Sequence, residues 1–183
     1  MATSEGKIMT VIAGFAGSNG AAIASDSQAT LGDTPLNMGS KVINAGSFLV
    51  GIAGFAATLE VVRKKISNWS GPLNTKDDVA KFADWIKQQN IDLGMPADQA
   101  DGFGFVLVTK DAAWSGAGTV IVLPGKNGIA VCGSGGTHAM TAMKLLYKRD
   151  GGVQYPEDFV REAVGAAIEQ SITCGGDIFS EAL

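Results

Sequence analysis

The N-terminal part of the chain has short apolar segments that predict two β-hairpins. One pair of segments is MTVIAGFAG and GAAIAS, separated by GSNG at 17–20, a tetrapeptide typical of hairpin turns. A second pair is KVINAG and FLVGIAG, which would turn at Gly46 and Ser47. The sequence therefore begins with two pairs of antiparallel strands.

After Gly54 the spacing of apolar residues lengthens to three or four, which predicts helices. In FAATLEVVRKKISNW the apolar side chains share one side: Leu59, Val61, Val62 and Ile66. The next helix is KDDVAKFADWIKQQN, with Thr75 as its N-cap and acidic residues in its first turn. Its apolar face consists of Val79, Phe82 and Ile86.

The second half of the chain repeats this order. Strands are predicted in FGFVLVTK, AAWSGAG, TVIVLP and GIAVCGSGG, followed by helices in THAMTAMKLLYKRD and PEDFVREAVGAAIEQSI and by a short tail. Strands and helices in paired blocks predict an α+β fold, a four-layer αββα sandwich in which two antiparallel sheets pack between two helical layers. A doubly wound parallel sheet would instead need single strands and helices to alternate.

The composition and charge of the chain argue against several classes of function. The 183 residues fit one domain, and with 46% hydrophobic and 17% charged residues we expect much of the surface to be buried against neighbouring subunits. The net charge of −4 without a basic stripe argues against nucleic-acid binding. No apolar run reaches the roughly 18–20 residues of a membrane span, and the N-terminus does not look like a signal peptide, so we expect a cytoplasmic protein.

Histidine and cysteine are too few for two common kinds of active site. Cys132 and Cys174 lie far apart without metal-ligand spacing, and His138 is the only histidine. A zinc site or a Ser-His-Asp hydrolase is therefore not expected, and we predict no metal or cofactor. We expect two reduced, buried thiols. Any hydrolytic chemistry would need a base other than histidine.

Three polar residues lie at the ends of the predicted strands. Thr10 lies at the start of the first strand, Asp26 comes just after the second, and Lys41 enters the third. Read separately, they are a strand-forming threonine, a turn aspartate and a solvated lysine. Read together, they suit hydrolysis: an N-terminal threonine carries its own base, the α-amine, and a buried lysine paired with an aspartate would activate the hydroxyl.

The motifs around these residues resemble those of the proteasome β-subunit family, and most closely its bacterial HslV branch. They are TVIAGF, IASDSQATLG with a turn at QATLG, SKVINAG, LVGIAGFAATLE, VCGSGGTHA and CGGDI, spread over residues 10 to 178. The resemblance implies the αββα fold of the N-terminal-nucleophile hydrolases, stacked rings of six or seven subunits and an AAA+ ATPase unfoldase that feeds in polypeptide.

The resemblance also implies roles for individual residues. Thr10 matches the nucleophile, Asp26 its acidic partner and Lys41 the lysine beside them. Gly54 matches the glycine whose backbone N–H stabilises the oxyanion, Thr30 a contact to the substrate strand, and Ser134 the serine near the terminal amine. The last element of the family's site, Asp-x-x-Ser-Gly after the last long helix, differs in this chain. The comparable segment SITCGGD has Ser171 and Cys174 instead.

Activity on this interpretation requires that the bond between Met9 and Thr10 be cut. We expect residues 1–9 to be a leader and 10–183 a single proteasome-like domain. Self-processing members of the family usually have glycine before the threonine, whereas this chain has the larger Met9. The alternative is a non-hydrolytic ring protein that keeps its leader as a structural part of a larger assembly, for example a phage virion.

Overall fold

The computed structural model describes residues 7–31 and 34–183. Its strands are β1 (Lys7–Ile8), β2 (Ile12–Gly17), β3 (Gly20–Asp26), β4 (Gln28–Leu31), β5 (Thr34–Asn37), β6 (Val42–Asn44), β7 (Leu49–Phe55), β8 (Phe103–Val108), β9 (Ala113–Ala117), β10 (Ile121–Pro124), β11 (Ile129–Cys132) and β12 (Ile178–Ala182). Its α-helices are α1 (Ala56–Lys65), α2 (Lys76–Asp92), α3 (Gly136–Arg149) and α4 (Pro156–Gln170), and a 3₁₀ turn (Ile66–Asn68) follows α1.

Two antiparallel sheets form the centre of the molecule. One has the order β1-β7-β8-β9-β10, with β6 also paired to β7, and the other has the order β11-β2-β3-β12. Both predicted hairpins are present, because β2 pairs with β3 and β6 pairs with β7. A small third sheet joins β4 to β5.

Apolar side chains fill three layers of core, which places helices on the outer faces of both sheets. Helices α1 and α2 pack on the larger sheet around Phe82 and Phe105, and α3 and α4 pack on the other sheet around Phe15 and Phe159. A third cluster, which includes Ile12 and Ile23, lies between the two sheets. The predicted αββα arrangement is confirmed.

The helices begin where the sequence predicts and bury the predicted faces. Thr75 caps α2 in a capping box with Asp78, and Pro156 stands in the first turn of α4. The predicted apolar faces of α1 and α2 are buried, including Leu59 and Phe82. Among the helices of residues 7–31 and 34–183, none combines the length and apolarity needed to cross a membrane.

Two local predictions were wrong. The segment at QATL is not a turn but strand β4, which pairs with β5 from Thr34 onwards. The tail after residue 177 also forms a strand, β12, which pairs along β3 from Asp26↔Ile178 to Ala22↔Ala182. Both strands are short, so an alternating apolar and polar pattern does not identify them. Each forms because the backbone N–H and C=O groups of a neighbouring strand are available as hydrogen-bond partners.

Candidate active site

The three predicted residues Thr10, Asp26 and Lys41 meet at one corner of the two sheets. Thr10 lies two residues before β2, Asp26 is the last residue of β3, and Lys41 immediately precedes β6. The β2–β3 pairing, with Ile12 opposite Ser25, brings the first two together. All three residues are 0% exposed.

The Thr10 hydroxyl lies between the two charged groups. It donates a hydrogen bond to Asp26 Oδ1, and Lys41 Nζ lies 2.5 Å from Thr10 Oγ1. Lys41 Nζ also lies 2.6 Å from Asp26 Oδ1 and donates to the carbonyl of Gln28. The ammonium group thus has three acceptors in a site without solvent exposure, as a buried charge requires.

Backbone amides orient the Asp26 carboxylate. Val11 N donates to Oδ1 at 3.1 Å, and Gly175 N donates to Oδ2 at 3.0 Å. The second contact joins the strand β3 to the segment after α4, so this segment forms one wall of the site. Hydrogen bonds from fixed backbone donors hold both carboxylate oxygens in place.

Burial lowers the pKa of the Lys41 ammonium below its usual value, and the neighbouring Asp26 carboxylate opposes this effect only in part. The Lys41 side chain therefore releases a proton more readily than a solvated lysine. A cation in this position stabilises negative charge on Thr10 Oγ1 and is itself held by Asp26.

Ser134, in the loop between β11 and α3, contacts the backbone of Thr10. Its Oγ accepts a hydrogen bond from Thr10 N at 3.2 Å and donates to Thr10 O at 3.3 Å. Thr173 Oγ1 donates to Ser134 Oγ at 2.9 Å, and Ser171 Oγ lies 2.7 Å from Thr173 Oγ1. Ser171 thus reaches the site through Thr173.

The two cysteines are structural neighbours of the site. Cys174 is buried in the core beneath α3 and α4, with its Sγ 3.8 Å from Thr173 Oγ1, and a Cβ on Gly135 would come within 2.5 Å of that sulfur. Cys132 is partly buried at the end of β11. Burial raises the pKa of the Cys132 thiol to about 12, so it is not a competing thiolate nucleophile at neutral pH.

Gly54 and Thr30 border the segment that leads to Thr10. Strand β1 pairs antiparallel with β7, with Ile8 opposite Gly54 and Lys7 opposite Phe55, and it also contacts β4. Gly54 has a φ of +118°, and a Cβ there would lie 2.4 Å from the carbonyl oxygen of Gly102, so only glycine fits. Thr30 Oγ1 is buried without a hydrogen-bond partner in the part of the chain that the structure describes.

Comparison with known proteins identifies the fold. No protein-family model matches the chain, and no curated protein matches it by sequence. Among solved structures, "Thiobacillus denitrificans BPH in complex with Epoxomicin" matches with a TM-score of 0.81 and 17% identity, covering 94% of this chain and 97% of that one. The structure of eukaryotic HslV from Trypanosoma brucei matches with a TM-score of 0.67 and 19% identity, covering 94% and 98%. The chain has the HslV fold.

Within the HslV fold, the structure places the predicted site residues in three groups. Thr10, Asp26 and Lys41 are in direct contact, and Ser134 contacts Thr10 through its backbone. Gly54 and Thr30 lie on strands that contact β1. Ser171 and Cys174 lie behind a residue that the sequence analysis missed, Thr173. In the sequence, Thr173 is marked only by its position within SITCGGD, between Ser171 and Cys174.

Proposed function

We propose that this chain is a threonine-type peptidase subunit that cleaves unfolded polypeptides after residues 1–9 are removed. Residues 10–183 would form the mature domain. The observation that carries the proposal is the position of Thr10 Oγ1, which is hydrogen-bonded to both Asp26 and Lys41 in a buried segment just before β2. A hydroxyl held between a carboxylate and an ammonium group is placed for activation as a nucleophile.

The proposed reaction needs a base, and the mature N-terminus supplies it. While Met9 precedes Thr10, the Thr10 nitrogen is a peptide amide and cannot accept a proton. A free α-amine, with a pKa of about 8, can take the proton from Oγ1 as the oxygen bonds to the scissile carbonyl carbon. The amine then passes that proton to the departing nitrogen, which leaves an ester on Thr10 that water hydrolyses. Lys41 stabilises the charge on Oγ1, and the backbone N–H of Gly54 is the proposed oxyanion donor.

The surroundings of β1 support an extended polypeptide as substrate. Lys7 and Ile8 already form a strand on the edge of β7 and contact β4, so the groove accepts peptide backbone in β conformation. The Thr30 hydroxyl lies on β4 and has no hydrogen-bond partner among residues 7–31 and 34–183, so it offers a hydrogen bond to a bound chain. Lys7 and Ile8 occupy the place proposed for substrate, and removal of residues 1–9 would both open the groove and create the base.

We propose that the subunits assemble into a homo-oligomeric ring that receives polypeptide from an AAA+ ATPase unfoldase. The likeness to the solved HslV structure supports this arrangement by fold. The alternative of a non-hydrolytic structural component, such as a virion protein, has no comparison in its favour. This alternative also does not explain the buried contact between Thr10 Oγ1 and Lys41 Nζ.

Removal of the leader is expected to switch on peptide cleavage. A chain that begins at Thr10, produced by cutting a fusion partner directly before Thr10, should hydrolyse a fluorogenic peptide amide at least about a hundredfold faster than the full-length chain, because the Thr10 nitrogen is a free amine only in the shorter form. The matched control is a chain that begins at Val11, made in the same way. The proposal fails if the Thr10-start chain is folded and assembled but no more active than this control.

A further inference from the structure

Three hydroxyl groups form a chain of hydrogen bonds that starts at the Thr10 nitrogen. They belong to Ser134, Thr173 and Ser171, with successive oxygen separations of 2.9 Å and 2.7 Å. Ser134 is exposed, Thr173 and Ser171 are partly buried, and Thr10 is fully buried. The three residues come from two separate loops, one before α3 and one after α4, so the chain of contacts depends on the tertiary fold.

Each hydroxyl has a single hydrogen, and this fixes the direction of the hydrogen bonds. Ser134 uses its hydrogen on the carbonyl oxygen of Thr10, so it must accept from Thr10 N and from Thr173. Thr173 uses its hydrogen on Ser134, so Ser171 must be the donor to Thr173 Oγ1. Ser134 Oγ therefore presents a lone pair to the Thr10 nitrogen because Thr173 and the Thr10 carbonyl occupy its other positions.

We infer that Thr173 is a positioning residue for the Thr10 amine. The inference rests on the proposed function, in which the Thr10 nitrogen is the general base. An amine that donates one N–H to Ser134 Oγ has its rotation about the Cα–N bond restricted. This limits the directions that its lone pair can take relative to Oγ1 of the same residue. Thr173 holds the Ser134 hydroxyl in place. The Ser134 hydroxyl in turn orients the lone pair of the Thr10 amine, which accepts the proton.

Removal of the Thr173 hydroxyl tests this role in the Thr10-start chain. Thr173→Val is expected to lower kcat about tenfold with KM within about twofold of the parent. The variant loses one neutral hydrogen bond but leaves the substrate groove unchanged. Thr173→Ser, which keeps the hydroxyl, is expected to stay within about threefold. Thr141→Val is the matched control, since Thr141 is an exposed threonine that bonds to its own helix. Thr173→Ala serves as a second hydroxyl-free variant should the valine variant fold poorly.

A double-variant cycle separates action through Ser134 from a general structural effect. In a Ser134→Ala background, Thr173→Val should cause no further loss of kcat. A further loss comparable to that in the parent would overturn the inference, and so would a Thr173→Ser variant as impaired as Thr173→Val.

A crystal structure of the full-length Thr173→Val chain gives a test that does not depend on activity. We expect the Ser134 side chain to rotate so that Ser134 Oγ is no longer within 3.5 Å of Thr10 N, compared with 3.2 Å in the parent chain. If that contact persists in the variant, the inference is wrong. If the Thr10-start parent cleaves no peptide while Ser134 does rotate, the proposed function fails and Thr173 remains the residue that positions Ser134.

Discussion

Replacing Thr10 by alanine in the Thr10-start chain is expected to lower the rate of peptide cleavage by at least about a thousandfold. The alanine chain keeps the α-amine, Asp26 and Lys41, but it has no oxygen to attack the scissile carbonyl. The Asp26–Lys41 ion pair, at 2.6 Å, stays intact, so the loss should come without unfolding. Initial rates with a fluorogenic peptide amide, together with a thermal melt, measure both quantities.

Thr10→Ser is the informative companion variant, because it keeps a hydroxyl beside Asp26 and Lys41. We expect it to retain much more activity than the alanine chain, while Thr141→Ala should match the parent because the exposed Thr141 lies on α3 away from the site. If Thr10→Ala cleaved peptide at the parent rate, the nucleophile would have to be another residue.

Replacing Lys41 by methionine is expected to damage both activity and stability. Methionine has similar length but no charge, so the Thr10 hydroxyl loses its cationic neighbour and we expect at least a hundredfold loss of activity, about what removal of one electrostatic stabiliser costs. The variant also leaves the Asp26 carboxylate buried at 0% exposure without its counterion. Breaking a buried pair from one side costs about 3–5 kcal/mol in the free energy of unfolding.

A second variant separates the two effects of Lys41. Asp26→Asn combined with Lys41→Met removes the uncompensated charge and keeps one oxygen acceptor, so one of Val11 N and Gly175 N retains its hydrogen bond and the other loses it. Urea denaturation should show that this double variant recovers at least about 1 kcal/mol relative to Lys41→Met alone. Its activity should not recover. Recovery of activity along with stability would mean that Lys41 acts only as a structural partner of Asp26.

The residues in contact with the Thr10 hydroxyl were predictable because they lie at the ends of strands with clear patterns. Thr10 and Asp26 flank a hairpin whose turn and alternation fix the register, so the two residues had to meet if β2 and β3 paired. Lys41 was predicted from the family resemblance. The register of the first hairpin does not place it, because β6 belongs to the other sheet.

The parts of the site that the sequence did not reveal depend on contacts between distant segments. Thr173 reaches Ser134 across 39 positions of the chain, and Gly175 reaches Asp26 across 149. Neither contact follows from periodicity, because both lie in loops whose path is set by the packing of α3 and α4. The strand at Lys7–Ile8 is two residues long, too short for an alternating pattern, and exists because the edge of β7 offers it backbone partners.

The central claim is that Thr10 becomes a nucleophile only as the first residue of the chain. The most direct measurement is intact mass after exposure to a peptide with an electrophilic C-terminal group, followed by fragmentation to locate the adduct. The account predicts one adduct per subunit in the Thr10-start chain, located on Thr10, and none in the full-length chain or in the Thr10→Ala chain. An adduct on a different residue, or equal labelling of the full-length chain, would contradict it.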